Sequence, residues 1–183
     1  MSVTERASRK FLLCANGIGS SEVETLYVDA LQFLYHLSLA ILVGGGLVLG
    51  SAVAPAIFKA VNSRGEAGAI FGAVLARWDG LAILCVVLVV ITSALKAGAY
   101  EVAEAPEARL VVRWIALAVM SAAVVFSSGW ANPVARTLRA QSPAWDEMPE
   151  STPLRREFTA LHRRSSRAMR VGIVAGLVAL YLS

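Results

Sequence analysis

The sequence predicts an all-α integral membrane protein, a four-helix bundle with an amphipathic extension before its last helix. Three observations predict it. Hydrophobic residues make up 57% of the 183 residues and charged ones only 16%, where an ordinary soluble domain carries about 25% charged residues. The apolar residues fall in long uninterrupted runs, and the mean hydropathy is +0.63. The basic residues gather where those runs stop, which in a membrane chain of net charge +4 points to cytoplasmic loops rather than to nucleic acid.

The first span is expected at about 28–58, and from Leu37 to Phe58 it carries no charge. A helix needs about 20 such residues to cross a hydrocarbon core of about 30 Å. Gly46, Gly50 and Ala54 repeat at four-residue spacing, a stripe that lets a neighbouring helix approach closely in lipid. They are read as a helix-packing seam, with a substrate groove as the alternative. The second span, about 78–100, is bounded by the interfacial aromatics Trp78 and Tyr100. The third, about 110–130, follows a short turn containing Pro106 and ends at Trp130, where Asn132 and Pro133 are expected to cap and stop it.

A polar loop over 131–162 follows, with three prolines between Gln141 and Pro153. Thr152 and Pro153 suit an N-cap and first helical position. From there Leu154, Phe158, Leu161, Ser165 and Ala168 recur at helical spacing among arginines, the pattern of an amphipathic helix at a membrane surface. The charge-free tail from Val171 is too short to cross alone, so the fourth span, about 163–183, takes in Arg167 and Arg170, whose side chains snorkel to the interface. Residues 1–27 read as a polar N-terminal tail. Its apolar run Phe11–Cys14 is shorter than the 7–15 residues of a signal-peptide core, so no cleavage is expected. Cys85 reads as a small apolar filler.

Four spans place both termini on one side. Eleven lysines and arginines fall on the side of loops one and three against six on the other. The positive-inside rule therefore puts those loops in the cytoplasm and both termini outside, in a multi-pass protein of the cell (inner) membrane. The segments around AVAPAIFK, RWDG, NPVAR and His162 then meet at one cytoplasmic rim. The arginines of loop three are expected to meet anionic lipid headgroups.

These same segments carry a family resemblance. A first helix with His36 and glycines ends in AVAPAIF, a basic-aromatic stretch AVLARWDG opens the second, the third ends in ANPVARTLR, and the fourth opens with FTALHRRS. In that order, from about Leu31 to the C-terminus, the chain resembles the transmembrane protein 205-like membrane proteins, domain of unknown function 4149. The resemblance implies a four-helix membrane protein and a transport-like role. Eukaryotic members are linked to resistance to platinum drugs, and the family's molecular activity is not established.

The residues that could carry chemistry are few. His162 shares a helical face with Phe158, Ser165, Ser166 and Met169; it reads either as a ligand or proton site at the rim or as a hydrogen-bonding partner of a neighbouring helix. His36 lies within the first span, with Lys96 and Arg113 in the same leaflet, and has the same two readings. Asp79 needs a cation because desolvating a lone carboxylate is costly. Arg77 is adjacent in sequence, and Arg136, Arg167 or Arg170 can reach it; the expected partner is Arg167 or Arg170, fixing the fourth helix to the second. Arg77, Asp79, Asn132 and His162 therefore form the candidate rim site, with His36 and Lys96 secondary.

No cysteine–histidine cluster, methionine array or paired intramembrane histidines appear, so no cofactor is predicted, with haem or a metal on His36 and His162 kept as the third reading. No nucleophile–base pair, phosphate loop or metalloprotease motif argues for an enzyme. The leading expectation is a protein that binds or moves a small molecule or ion. Its rival is an accessory subunit, packed by the glycine seam into a larger membrane complex or a homo-oligomer.

Overall fold

A computed structural model gives the fold. It describes the backbone of residues 3–98, 107–142, 145 and 147–183, and side chains from Glu22 onward. Tyr100, Pro106, Pro143 and the side chain of Cys14 lie outside the described residues. Among those described, helix accounts for 90% and no strand occurs, which fixes the all-α class.

The helices are α1 (Val3–Val48), α2 (Ala54–Ala60), α3 (Arg64–Lys96), α4 (Ala108–Val124), α5 (Asn132–Ala140) and α6 (Pro153–Tyr181). A π-helical segment, Leu49–Val53, joins α1 to α2, and a second, Val125–Ala131, joins α4 to α5. Each precedes a proline at the start of the next helix, Pro55 in α2 and Pro133 in α5. A proline inside an α-helix removes one N–H and presses on the carbonyl four residues back. The wider π turn accommodates both demands without breaking the rod. The third apolar helix therefore does not stop at Asn132–Pro133, as the sequence suggests, but runs on to Ala140.

Three stretches are long and apolar enough to cross a membrane: Glu22–Ala60, Arg64–Lys96 and Ala108–Ala140. Their outer faces expose residues such as Phe33, Leu47, Leu84, Val87, Ile91 and Ile115, the surface that lipid rather than water covers. The chain is a multi-pass membrane protein. Helix α6 packs along α4 and also meets α1 and α5. Thr152 is its N-cap and Pro153 its first residue. Ser63 caps α3 by accepting from the Glu66 N–H at 3.3 Å.

The core is drawn from all four long helices: Tyr35, Leu39 and Leu42 of α1, Ala82, Cys85, Val86 and Val89 of α3, Ala116, Leu117 and Met120 of α4, and Ala179 of α6. With no hydrophobic effect to drive association inside lipid, close packing must hold such helices together. Two glycines permit it. A Cβ on Gly45 would stand 2.3 Å from the Trp78 ring, and one on Gly176 would stand 2.6 Å from Val43 Cγ2. Of the predicted seam, Gly46 faces Ile173 of α6, where a Cβ would meet Cδ1 at 3.1 Å, while Gly50 has nothing within 4 Å of that position.

Candidate functional site

The end of the molecule where α2, α3, α5 and α6 come together is built around Asp79. Its side chain is 6% exposed. Oδ1 accepts from Asn132 Nδ2 at 2.8 Å, and Oδ2 accepts from Arg136 Nη1 at 2.5 Å. Asn132 and Arg136 are one turn apart on α5, so a single helix face presents both. Asn132 Oδ1 in turn accepts from Ser165 Oγ at 2.6 Å. Ser165 has then used its only proton, so in its 2.7 Å contact with Ser127 the hydroxyl of Ser127 is the donor. The result is a directed chain, Ser127 to Ser165 to Asn132 to Asp79, met from the other side by Arg136. It ties α3, the second π segment, α5 and α6 together at one point.

Two expectations change here. The partner of Asp79 is Arg136, not Arg167 or Arg170: Arg136 lies one turn beyond Asn132 on the helix that already touches Asp79, whereas Arg170 Nε turns back to the Ser166 carbonyl of its own helix at 3.3 Å. Asn132 is not a helix cap, because its backbone lies within a continuing helix and its amide is spent on Asp79. Arg77 is exposed, and neither carboxylate oxygen of Asp79 is held by it.

Two adjoining cavities open beside this network. The outer one, about 250 Å³, lies between α3, α5 and the start of α6. Arg64, Arg136, Arg139 and Arg155 line it, and no carboxylate does among the described residues. The inner one, about 400 Å³, runs between the first π segment and α6, lined by Gly46, Gly50, Ala54, Met169, Ile173 and, as its one charge among the described residues, Arg170. Phe58, Phe71, Leu75, Asn132 and His162 belong to the walls of both. So Asn132 and His162 stand at the junction, and Asp79 stands behind it as the anchor of two lining residues. Phe58 and Phe71 meet with ring centroids 6.2 Å apart. Trp145 packs edge-on against Phe158 at 5.1 Å, and Phe158 stacks on His162 at 6.1 Å. Arg155 lies over the Trp145 ring and donates to the Met148 carbonyl, while Arg139 Nη2 donates to the Gly65 carbonyl at 2.6 Å. The guanidinium of Arg139 also covers Gly68, where a Cβ would stand 2.6 Å from Nη1. His162 is exposed as a residue, yet its neighbours partly desolvate the imidazole and lower its pKa below the usual 6.5.

The opposite end is organised differently. His36 Nδ1 lies 3.0 Å from the Gln32 carbonyl and Nε2 lies 3.1 Å from Ser183 Oγ. Lys96, 3% exposed, sets its ammonium 4.4 Å from the centroid of the fully buried Tyr35 ring. Arg113 approaches the same ring at 5.9 Å. Ser183 and His162 are separated along α6 by about 30 Å at 1.5 Å per residue, so one ion cannot bind both histidines. Among the described residues no three His, Cys, Asp or Glu side chains come together to hold a metal.

Arg139 and Arg155, which the sequence presented only as topology charges, line the cavity, and so does Arg136, one of the cations weighed for Asp79. The signal that favours Arg136 over Arg167 and Arg170 is its four-residue spacing from Asn132 in NPVAR. A family model described as "Domain of unknown function (DUF4149)" matches residues 37–144, more than half of the chain. No curated protein and no solved structure matches it.

Proposed function

The chain belongs to the DUF4149 family of membrane proteins, and we propose that it binds, or moves, a small molecule or ion through the cavity at one end of its bundle. The observation that carries this reading is the pair of adjoining cavities that share Asn132 and His162, lined by four arginines outside and mainly by small and apolar residues, with Arg170, inside. The inner cavity, about 400 Å³, falls in the range that holds small ligands, about 300–1,000 Å³, and the outer, about 250 Å³, adjoins it. Asp79, Asn132 and Ser165 hold the walls; His162 and the arginines face what enters.

The reading takes α6 as a fourth span. Its second half has an apolar outer face of Val171, Val174, Leu177 and Val178, and its buried face carries Gly172, Gly176 and Ala179, as a membrane helix packed on neighbours does. Its first half, rich in arginine, then lies at the membrane surface. The excess of basic residues at the cavity end orients that end to the cytoplasm of the cell membrane, facing anionic headgroups, with both termini outside.

The test is gentle purification in neutral detergent, with a mass spectrum of everything that co-elutes and a thermal-stability screen against small anions, cations and neutral solutes. A ligand that stabilises the wild type and not His162→Ala supports the reading. A protein that responds to nothing and elutes with a stoichiometric partner chain refutes it and makes this an accessory subunit.

A further inference from the structure

The two cavities share one junction and differ in emphasis, arginine-rich outside and mostly apolar inside. The outer has four guanidinium groups, the group best suited to phosphate and carboxylate because its planar fork donates two parallel hydrogen bonds. The inner is a mostly apolar groove, with Ser166 and Arg170 of α6 on one wall, and it opens sideways at Gly50, which is exposed and has open space beside it. From Gly46 to Phe58 the groove follows about 18 Å of helix at 1.5 Å per residue. That is close to half of a hydrocarbon core of about 30 Å, or one leaflet. A polar solute would leave the groove unused, and a neutral lipid would leave the arginines unused.

Resting on the rim-cavity reading, we propose that the two cavities form one site for an anionic amphiphile with a single acyl chain. Its phosphate or carboxylate head sits among Arg64, Arg136, Arg139 and Arg155. Its chain lies in the groove along Gly46, Gly50 and Ala54, entering sideways from the cytoplasmic leaflet. The glycines serve two purposes: Gly46 brings α6 close, and Gly50 leaves room for the chain.

The experiment uses the full chain in neutral detergent with three probes: lysophosphatidic acid, glycerol 3-phosphate as the head alone, and a monoacylglycerol as the chain alone. Lysophosphatidic acid well above its dissociation constant is expected to raise the Tm by about 5–10 °C, and each half-probe by less than about 1 °C. Gly50→Leu fills the groove where a side chain meets open space, so it keeps the wild-type Tm and loses the shift; Arg155→Gln reduces the shift at least several-fold. An equal shift from glycerol 3-phosphate, or one that survives Gly50→Leu, makes the outer cavity a site for free anions and overturns the amphiphile while leaving the rim site standing. No shift from any of the three overturns the amphiphile, and the solute screen with His162→Ala then decides the rim site by itself.

Discussion

At one end of the bundle Lys96 and Arg113 bury their charges against the ring of Tyr35, and His36 engages Gln32 and Ser183 of its own chain. At the other end, Arg136 and Asn132 hold a buried carboxylate, and beside them Arg64, Arg139, Arg155 and His162 border open space. The residue types are similar. The difference lies in what the backbone leaves between helices. A cation over an aromatic face is packed shut. At the cavity end two π segments and two prolines carry the helices past each other at a wider turn, and π bulges often mark functional sites. An intramembrane charge is thus not a site by its presence alone; it becomes one where packing stops short of it.

The largest expected effect comes from breaking the anchor of the open end. Asp79→Ala leaves Asn132 Nδ2 and Arg136 without their acceptor and should cost about 3 kcal/mol. Thermal unfolding in detergent should fall by roughly 6–12 °C. Removing Arg136 in the same chain should recover part of the loss, as a double-mutant cycle would read.

The next effect separates packing glycines from cavity glycines. Gly45→Ala drives a methyl into the Trp78 ring and should cost about 1–3 kcal/mol. Gly50→Ala meets nothing and should leave the Tm unchanged or slightly raised, since alanine favours helix by roughly 1 kcal/mol over glycine. Equal losses at both positions would refute the division of the stripe into seam and groove.

At the closed end, His36→Ala removes one interhelical hydrogen bond and should cost about 0.6 kcal/mol, the mean measured for such bonds in a membrane protein. Ser183→Ala should match it, and the double variant should be no worse than either alone.

The smallest effect is on pH. His162 titrates below 6.5 when folded and near 6.5 when unfolded, so the unfolded chain binds the extra proton first. Its share of stability is therefore present above about pH 6.5 and declines as pH falls through the folded pKa. His162→Gln should flatten that part of the stability–pH curve by a small amount, because the ring is partly solvated.

The apolar runs were legible because a bilayer requires their length and composition, and Thr152–Pro153 because capping is local. One proline misled. Pro133 looks like a stop, and only the neighbouring π turn, which leaves no signature in composition, lets the helix continue. Asp79 was legible as a carboxylate needing a cation, but its partner lies 57 residues away and is chosen by helix rotation, which charge counting cannot see. The same limit hid Arg139 and Arg155 among the loop charges. His162 and Asn132 were found because each is a polar residue at the edge of an apolar segment, where the two cavities meet.

The central claim is that one end holds an open, positively charged cavity. The most direct measurement is thiol labelling of Leu75→Cys, which lines both cavities, in a chain with Cys14 and Cys85 replaced. The claim predicts that a negatively charged sulfonate reagent reacts several-fold faster than a cationic reagent of equal size, while His36→Cys at the closed end reacts with neither. A Leu75→Cys that is inert to both, or one that favours the cationic reagent, would contradict it.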